Sequence, residues 1–280
     1  MKLMTFANQK GGVGKTTLAV HMAIHAHNMG FRVLLVDLDQ QGSATYLLTG
    51  DGDRHQTEEN TALDLWYPGR EIPVQTSLFG FDFLQASAGL DAVDGSGSNA
   101  DMNEAIRALR RLEELDYHLV VVDCPPAPGI RQIAPLMVAD TAVAPVTPDL
   151  LGTQGLLGLV QTYKNIIRPA NPKLELKVLI NRLKANSLRN RTIAEDLTEK
   201  FGQLVIPYHL YDREDVRTGL LNGKPHWEFC KDAAQKNAWY QAFDTLLRGV
   251  PNDEDDSGTE IPEPPDAEKI LEQQGKEGQP

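Results

Sequence analysis

The sequence predicts an α/β fold, a doubly wound and mainly parallel sheet with helices on both faces, from three observations. Strand-length apolar runs alternate with helix-length segments along most of the chain. Those runs are apolar almost throughout, as expected of strands covered on both faces. A glycine-rich turn separates the first run from the first helix, in the strand–loop–helix order that anion-binding turns of such folds require.

In chain order, residues 3–8 read as a strand, 15–29 as a helix stopped at Gly30, and 32–37 ("RVLLVD") as the next strand. Residues 50–61 are polar and turn-rich, an expected exposed loop. Residues 81–86 read as a third strand and 94–103 ("DGSGSNADMN") as a flexible connection. Residues 103–116 read as a helix with an apolar stripe at Ala105, Ile106, Leu109 and Leu112. Three buried strands follow at 118–123, 141–146 and 176–181, with helices expected between and after them, near 153–167 and 190–201. Residues 203–207 ("QLVIP") read as a short late strand and 234–247 as a last amphipathic helix. No internal repeat interrupts the alternation, so residues 1–250 read as one domain. From Pro251 the composition turns to Asp, Glu, Pro, Gly and Gln, and 251–280 are expected to be a disordered acidic tail with a possible short helix at 266–274.

Composition narrows the function classes. With 280 residues, 41% of them hydrophobic, the chain can bury a sizeable core. No apolar run reaches the roughly 18 residues of a membrane span, and the strand-like start at Lys2 leaves no room for a signal peptide. Two cysteines, Cys124 and Cys230, are expected to form neither a metal-ligand cluster nor a disulfide framework, and read as buried or free thiols in a reducing cytoplasm. The net charge of −12 is unevenly spread. Residues 251–280 hold ten Asp/Glu against two Lys, whereas 160–250 hold fifteen Lys/Arg against ten Asp/Glu. Affinity for nucleic acid, if any, belongs to the basic carboxy-terminal third.

Three stretches carry chemistry. In "NQKGGVGKTT", Gly11, Gly12 and Gly14 let backbone N–H groups turn toward phosphate oxygens, with Val13 between them. The following helix adds its free N–H groups and dipole. Lys15 would pair with the β- and γ-phosphates of a nucleotide, and the Thr16 hydroxyl would ligate Mg²⁺, with Thr17 beside it. In "VDLDQQG", Asp37 and Asp39 lie at the end of a strand, where ligands of open α/β sheets bind. In "HLVVVDCPPAPG", Asp123 ends an apolar strand of Walker B type and would hold Mg²⁺, and the Pro/Gly loop after it is a candidate switch.

The first stretch departs from G-x-x-x-x-G-K-[ST] by carrying Gln9 at its first position and Lys10 before the glycines. It resembles the deviant Walker A loop of the ParA/MinD family of P-loop ATPases, and "DLDQQG" resembles that family's D-x-D-P-Q-G with Gln40 in place of proline. Proline would fix φ, so this loop is expected to be more mobile than its relatives. The resemblance covers the chain up to about residue 248. It implies ATP, Mg²⁺ and slow hydrolysis. It implies that Lys10 reaches the partner subunit's ATP across a dimer, that Asp39 positions the attacking water, and that Asp37 helps the Mg²⁺ shell. It implies that Asn181, ending "LIN", reads adenine and that Pro207 in "VIPYH" lies where the backbone meets the base.

Within the family, the acidic carboxy-terminus argues against the basic membrane helix of MinD-type members, and Cys124 and Cys230 do not match the cluster-bridging cysteines of nitrogenase-iron-protein relatives. The ParA branch is favoured by "NRLKANSLRNR" and "DREDVRTGLLNGKPHWE". By resemblance, Arg189, Arg191, Arg213, Arg217 and Lys224 contact DNA phosphates there, a salt-dependent and sequence-independent mode. An ordinary solvated surface, with pairs to Glu195, Asp212 or Glu214, is the plainer reading of these charges. No helix-turn-helix precedes residue 1, so the chain resembles the short type of partition ATPase. The resemblance implies a cytoplasmic, nucleoid-associated homodimer, non-specific DNA as ligand, and a ParB-like adaptor that stimulates hydrolysis. A positioning ATPase for a protein assembly or conjugation machinery is equally compatible. A small-molecule synthetase of the dethiobiotin type would not need Lys10.

Overall fold

The computed structural model describes residues 1–52, 59–95 and 98–248. The acidic tail, and residues 53–58 of the expected exposed loop, lie outside the described residues.

In chain order the elements are β1 (Lys2–Phe6), α1 (Lys15–Asn28), β2 (Val33–Asp37), α2 (Ser43–Thr49), β3 (Gln75–Thr76), β4 (Asp82–Leu84) and α3 (Asn99–Arg110). There follow β5 (Leu119–Asp123), α4 (Ile130–Val138), β6 (Thr141–Val146), α5 (Leu150–Thr162), α6 (Arg168–Ala170) and β7 (Glu175–Ile180). The last are α7 (Leu188–Phe201), α8 (Glu214–Leu221), α9 (His226–Phe229) and α10 (Ala233–Leu247). The seven strands lie in the order β3-β4-β2-β5-β1-β6-β7, parallel except for the β3–β4 pair. From β1 the chain first builds one side of the sheet, then returns through β5 and builds the other. That reversal opens a crevice at the carboxyl ends of β1 and β5.

Although the strand runs are continuously apolar, successive side chains still part to opposite faces. Val120 and Val122 join Leu34 and Val36 in one buried cluster, under α3, α4, α5 and α7. Leu119 and Val121 join Val33 and Leu35 in the other, under α1 and α10, where Trp239 and Phe243 are buried. Both faces are covered, as the sequence predicts.

The structure departs from the sequence reading in three places. Helix α3 begins at Asn99, inside the stretch expected to be a flexible connection. Ser98 caps it by accepting from Asp101 N, and the Asp101 side chain accepts from Ser98 N in return, a capping box that nucleates the first turn. The helix also ends early, at Arg110, and passes into a 3₁₀ turn over Arg111–Glu114. Third, residues 203–207 are not a strand. Gly202–Leu204 form a 3₁₀ turn, and among the described residues the ladder contact there is the isolated bridge Val178↔Val205. Ile206 N still donates to Val178 O, but Pro207 has no N–H to continue, and the next bond to β7 comes from Leu210 N.

Candidate functional site

The crevice is built from the ends of β1, β2 and β5. Gly14 caps α1 with φ 98° and no side-chain hydrogen bond. A Cβ at Gly14 would collide with Asn181 Nδ2, so both the backbone angle and the neighbour demand glycine. The first-turn N–H groups of α1 are therefore open to an anion. Lys15, the first residue of α1, is buried, and its Nζ donates to the Lys10 carbonyl at 3.3 Å. Burial lowers its pKa, opposed by Asp123.

Strand register sets Asp123 beside both Phe6 of β1 and Asp37 of β2. The two carboxyls are fully buried neighbours with different surroundings. Asp37 Oδ1 accepts from Asp39 N at 3.1 Å, and Oδ2 accepts from Thr45 N and Oγ1, both at 2.8 Å. Burial pushes the Asp37 pKa up to about 7, against those Thr45 bonds. Among the described residues, neither oxygen of Asp123 has a hydrogen-bond partner. Burial, with Asp37 alongside, raises its pKa well above the usual carboxylate value, while Thr16 and Lys15 pull it down.

Unpaired buried carboxylate oxygens are costly unless a cation meets them. The Asp123 oxygens and the neighbouring Thr16 hydroxyl form a hard oxygen set that fits Mg²⁺. Asp37, expected to help the Mg²⁺ shell, accepts from the chain with both oxygens and ties residue 39 and α2 to the end of β2. Asp39 lies half-buried on that tied loop, its Oδ1 accepting from Gln41 N at 3.1 Å.

Lys10 is engaged within its own chain. Its Nζ donates to Asp149 Oδ1 and Oδ2 at 2.9 and 3.1 Å, and to Thr147 Oγ1 at 3.0 Å. Asp149 also caps α5 by accepting from Gly152 N at 2.7 Å. Burial alone would raise the Asp149 pKa, but the bonds from Lys10 and Gly152 hold it below the usual carboxylate value. A Cβ at Gly155 of α5 would stand 2.8 Å from Asn8 Oδ1 and 2.9 Å from Lys10 Cβ. Glycine in α5 is thus what lets residues 8–10 lie against it.

A cavity of about 910 Å³ opens beside the loop, lined by Gly12, Gly14, Lys15, Thr16, Thr17 and Asp39, with Asn181 and Arg217 among the other lining residues. Asn181 is buried and donates from Nδ2 to Val13 O at 2.8 Å. Gly11 is exposed and Val13 is buried. Pro207 is exposed and does not line the cavity, because the chain leaves the sheet edge at that residue. Tyr211 and Asp212 line it instead.

The basic segment separates into two groups. Arg189, Arg191, Arg217 and Lys224 are exposed and have no ion pair among the described residues. Arg213 is half-buried and paired with Asp215 at 3.0 Å and Asp232 at 3.3 Å. Arg182 has φ 55°, and donates to Gly12 O at 3.0 Å and Asp212 Oδ1 at 2.9 Å. It braces the phosphate loop while its side chain stays half exposed.

Sequence reading missed Asp149, Gly155 and the bracing role of Arg182. The first has a local signal, an Asp opening an apolar helix. Its pairing with Lys10, 139 residues away, has none.

Among known proteins, residues 1–176 match the family described as AAA domain. The chromosome partitioning protein ParA of Caulobacter vibrioides is 30% identical over 238 residues, covering 80% of this chain and 86% of the relative. The chromosome-partitioning ATPase Soj of Thermus thermophilus is 32% identical over 210 residues, covering 73% of this chain and 79% of the relative. The crystal structure of cobyrinic acid a,c-diamide synthase from Mycobacterium smegmatis with bound ADP and magnesium is 25% identical with a TM-score of 0.70, covering 94% of this chain and 98% of that one. A strand–loop–helix cradle with a second lysine before its glycines, on a sheet of this topology and with these relatives, leads to one assignment: the chain belongs to the ParA/MinD family of deviant Walker A ATPases.

Proposed function

We propose that the protein is a ParA-type partition ATPase that closes into a homodimer on ATP, binds DNA without sequence preference, and releases it when an adaptor of ParB type stimulates hydrolysis. The observation that carries this reading is an intact phosphate cradle on the same chain as exposed Arg189, Arg191, Arg217 and Lys224, which have no ion pair among the described residues. Lys15 and the first-turn N–H groups of α1 hold the phosphates. Asp123 and Thr16 hold Mg²⁺, which when bound adds positive charge against the phosphate oxygens. Asp39 orients and polarises the attacking water, and Asp37 keeps its loop in place. Gln40, where the family has proline, leaves that loop with more backbone freedom. Asn181 keeps Gly14 in register and lies at the base-binding end of the cavity.

Lys10 must leave Asp149 to reach a partner subunit's nucleotide. Dimerisation then exchanges an ion pair within the chain for one across the interface, and ATP shifts the equilibrium by binding the dimer better than ADP does. The place of action is the cytoplasm, on the nucleoid. No described helix is long and apolar enough to cross a membrane.

Sedimentation of the full chain with ATP and Mg²⁺, with and without random-sequence DNA, tests this reading. The expected result is a dimer with ATP, a monomer with ADP, and co-sedimentation with DNA in ATP alone. A chain that stays monomeric in ATP would refute the dimer, and DNA binding indifferent to nucleotide would refute the switch.

A further inference from the structure

The first turn of α8 and the two ends of α9 bring three ligating side chains together outside the nucleotide crevice. One ligand atom from each of Asp215, His226 and Cys230 lies within 4.8 Å of the other two. His226 and Cys230 are spaced i, i+4 across α9, so both face the same side. His226 is 0% exposed, yet among the described residues neither ring nitrogen has a hydrogen-bond partner. Its Nδ1 stands 3.4 Å from Asp215 Oδ1 without hydrogen-bond geometry. That separation is close to the edge of a tetrahedron of about 3.3 Å that bonds of about 2.0 Å around zinc produce.

We propose that Asp215, His226 and Cys230 form a binding site for a zinc-type divalent cation. A mixed thiolate, imidazole and carboxylate set suits zinc or cobalt and not magnesium or calcium, which take oxygen. Three protein ligands leave a fourth position for water. Two of the three ligands have outer contacts of the kind such sites use, the thiol and the carboxylate. Cys230 Sγ accepts from Asp232 N at 3.3 Å. The Arg213 guanidinium fixes the Asp215 carboxylate and also reaches Asp232 at 3.3 Å, so its own charge is shared with a second acid. A cation would give one of the two orphaned ring nitrogens the partner it lacks. A cation here cross-links the start of α8 to the end of α9 and so steadies the segment that carries Arg217 and Lys224. The site does not depend on the nucleotide reading.

The test is a titration of untagged, chelator-treated full-length protein with Co²⁺ and Zn²⁺, following the thiolate-to-cobalt charge-transfer band and the metal bound at dialysis equilibrium. About one cation per chain is expected, displaced from Co²⁺ to Zn²⁺. Cys230→Ser should abolish the band, and Asp215→Asn should weaken binding about tenfold or more, while Cys124→Ser keeps both. Circular dichroism of each variant checks the fold, and the band in Cys124→Ser serves as the folded control if His226→Gln does not fold. Substoichiometric binding, or a band that survives Cys230→Ser, overturns the proposal.

Discussion

The crevice at the end of β5 and the segment from Arg182 to Cys230 handle charge in opposite ways. In the crevice, Asp37 and Asp123 are buried side by side with Lys15 as the near cation, and Asp123 is left unpaired. In the later segment, Arg182 and Arg213 are satisfied by Asp212, Asp215 and Asp232, and the remaining cations face solvent. The first arrangement is costly by itself and becomes favourable with a ligand. The second is stable by itself, and what its exposed cations gain from a polyanion depends on salt. Crevice residues should therefore act on chemistry and nucleotide binding, and later residues on DNA.

The largest effect expected is that of Asp39→Ala, a fall in ATP turnover of about 10³-fold with nucleotide affinity kept. Single-turnover kinetics beside a nucleotide titration would separate the two, and normal turnover would move the water-positioning role elsewhere. Next, Lys15→Ala should weaken ATP binding about 100-fold, through loss of charge-assisted bonds in a buried site. Fluorescent-nucleotide binding measures it, and near-normal affinity would break the contrast from the crevice side. Replacing Arg189, Arg191 and Arg217 by Ala should lower DNA affinity at least tenfold and reduce the salt slope by about three. Arg213→Ala, by comparison, should cost little DNA affinity, because that guanidinium is already paired. Equal losses for Arg213 and Arg217 in a salt-series binding assay would erase the distinction drawn here.

The smallest effect sits where the two regions join. His226 N donates to His21 Nε2 at 2.9 Å, so the His21 proton is on Nδ1, which donates to Thr17 O at 2.7 Å. The ring is neutral, and burial lowers its pKa to about 3. The unfolded chain binds a proton there below its ordinary 6.5 and the folded chain does not. This group therefore takes stability away as pH falls from about 6.5 toward 3, about 0.8 kcal/mol by pH 6. Denaturant unfolding at pH 7.5 and 6 would show this slope diminished in His21→Gln, and an unchanged slope would remove His21 from the account.

Much of the architecture was legible because it is written locally. Strand 141–146 matches β6 to the residue, and of the stripe Ala105, Ile106, Leu109 and Leu112 all are buried except Ile106, which is half-buried. The late strand failed because "QLVIP" has strand composition while Pro207 breaks the ladder, a competition that composition does not resolve. The start of α3 failed for a different reason. The glycines and serines before it outweighed the S-x-x-D capping signal at Ser98 and Asp101.

The sequence by itself determined the phosphate cradle, since "GGVGKTT" needs only its neighbours to turn and to start a helix, and it determined the strand that delivers Asp123 to the sheet edge. Only the tertiary structure decided which of these side chains are spoken for. It committed Asp37 to Thr45, Lys10 to Asp149 and Arg213 to Asp215 and Asp232, and among the described residues it left the Asp123 oxygens and the His226 ring nitrogens without hydrogen-bond partners. Motifs specify backbone shape through nearest neighbours along the chain. Charge pairing and burial depend on what the folded sheet and helices bring within about 4 Å, across gaps as long as the 139 residues between Lys10 and Asp149.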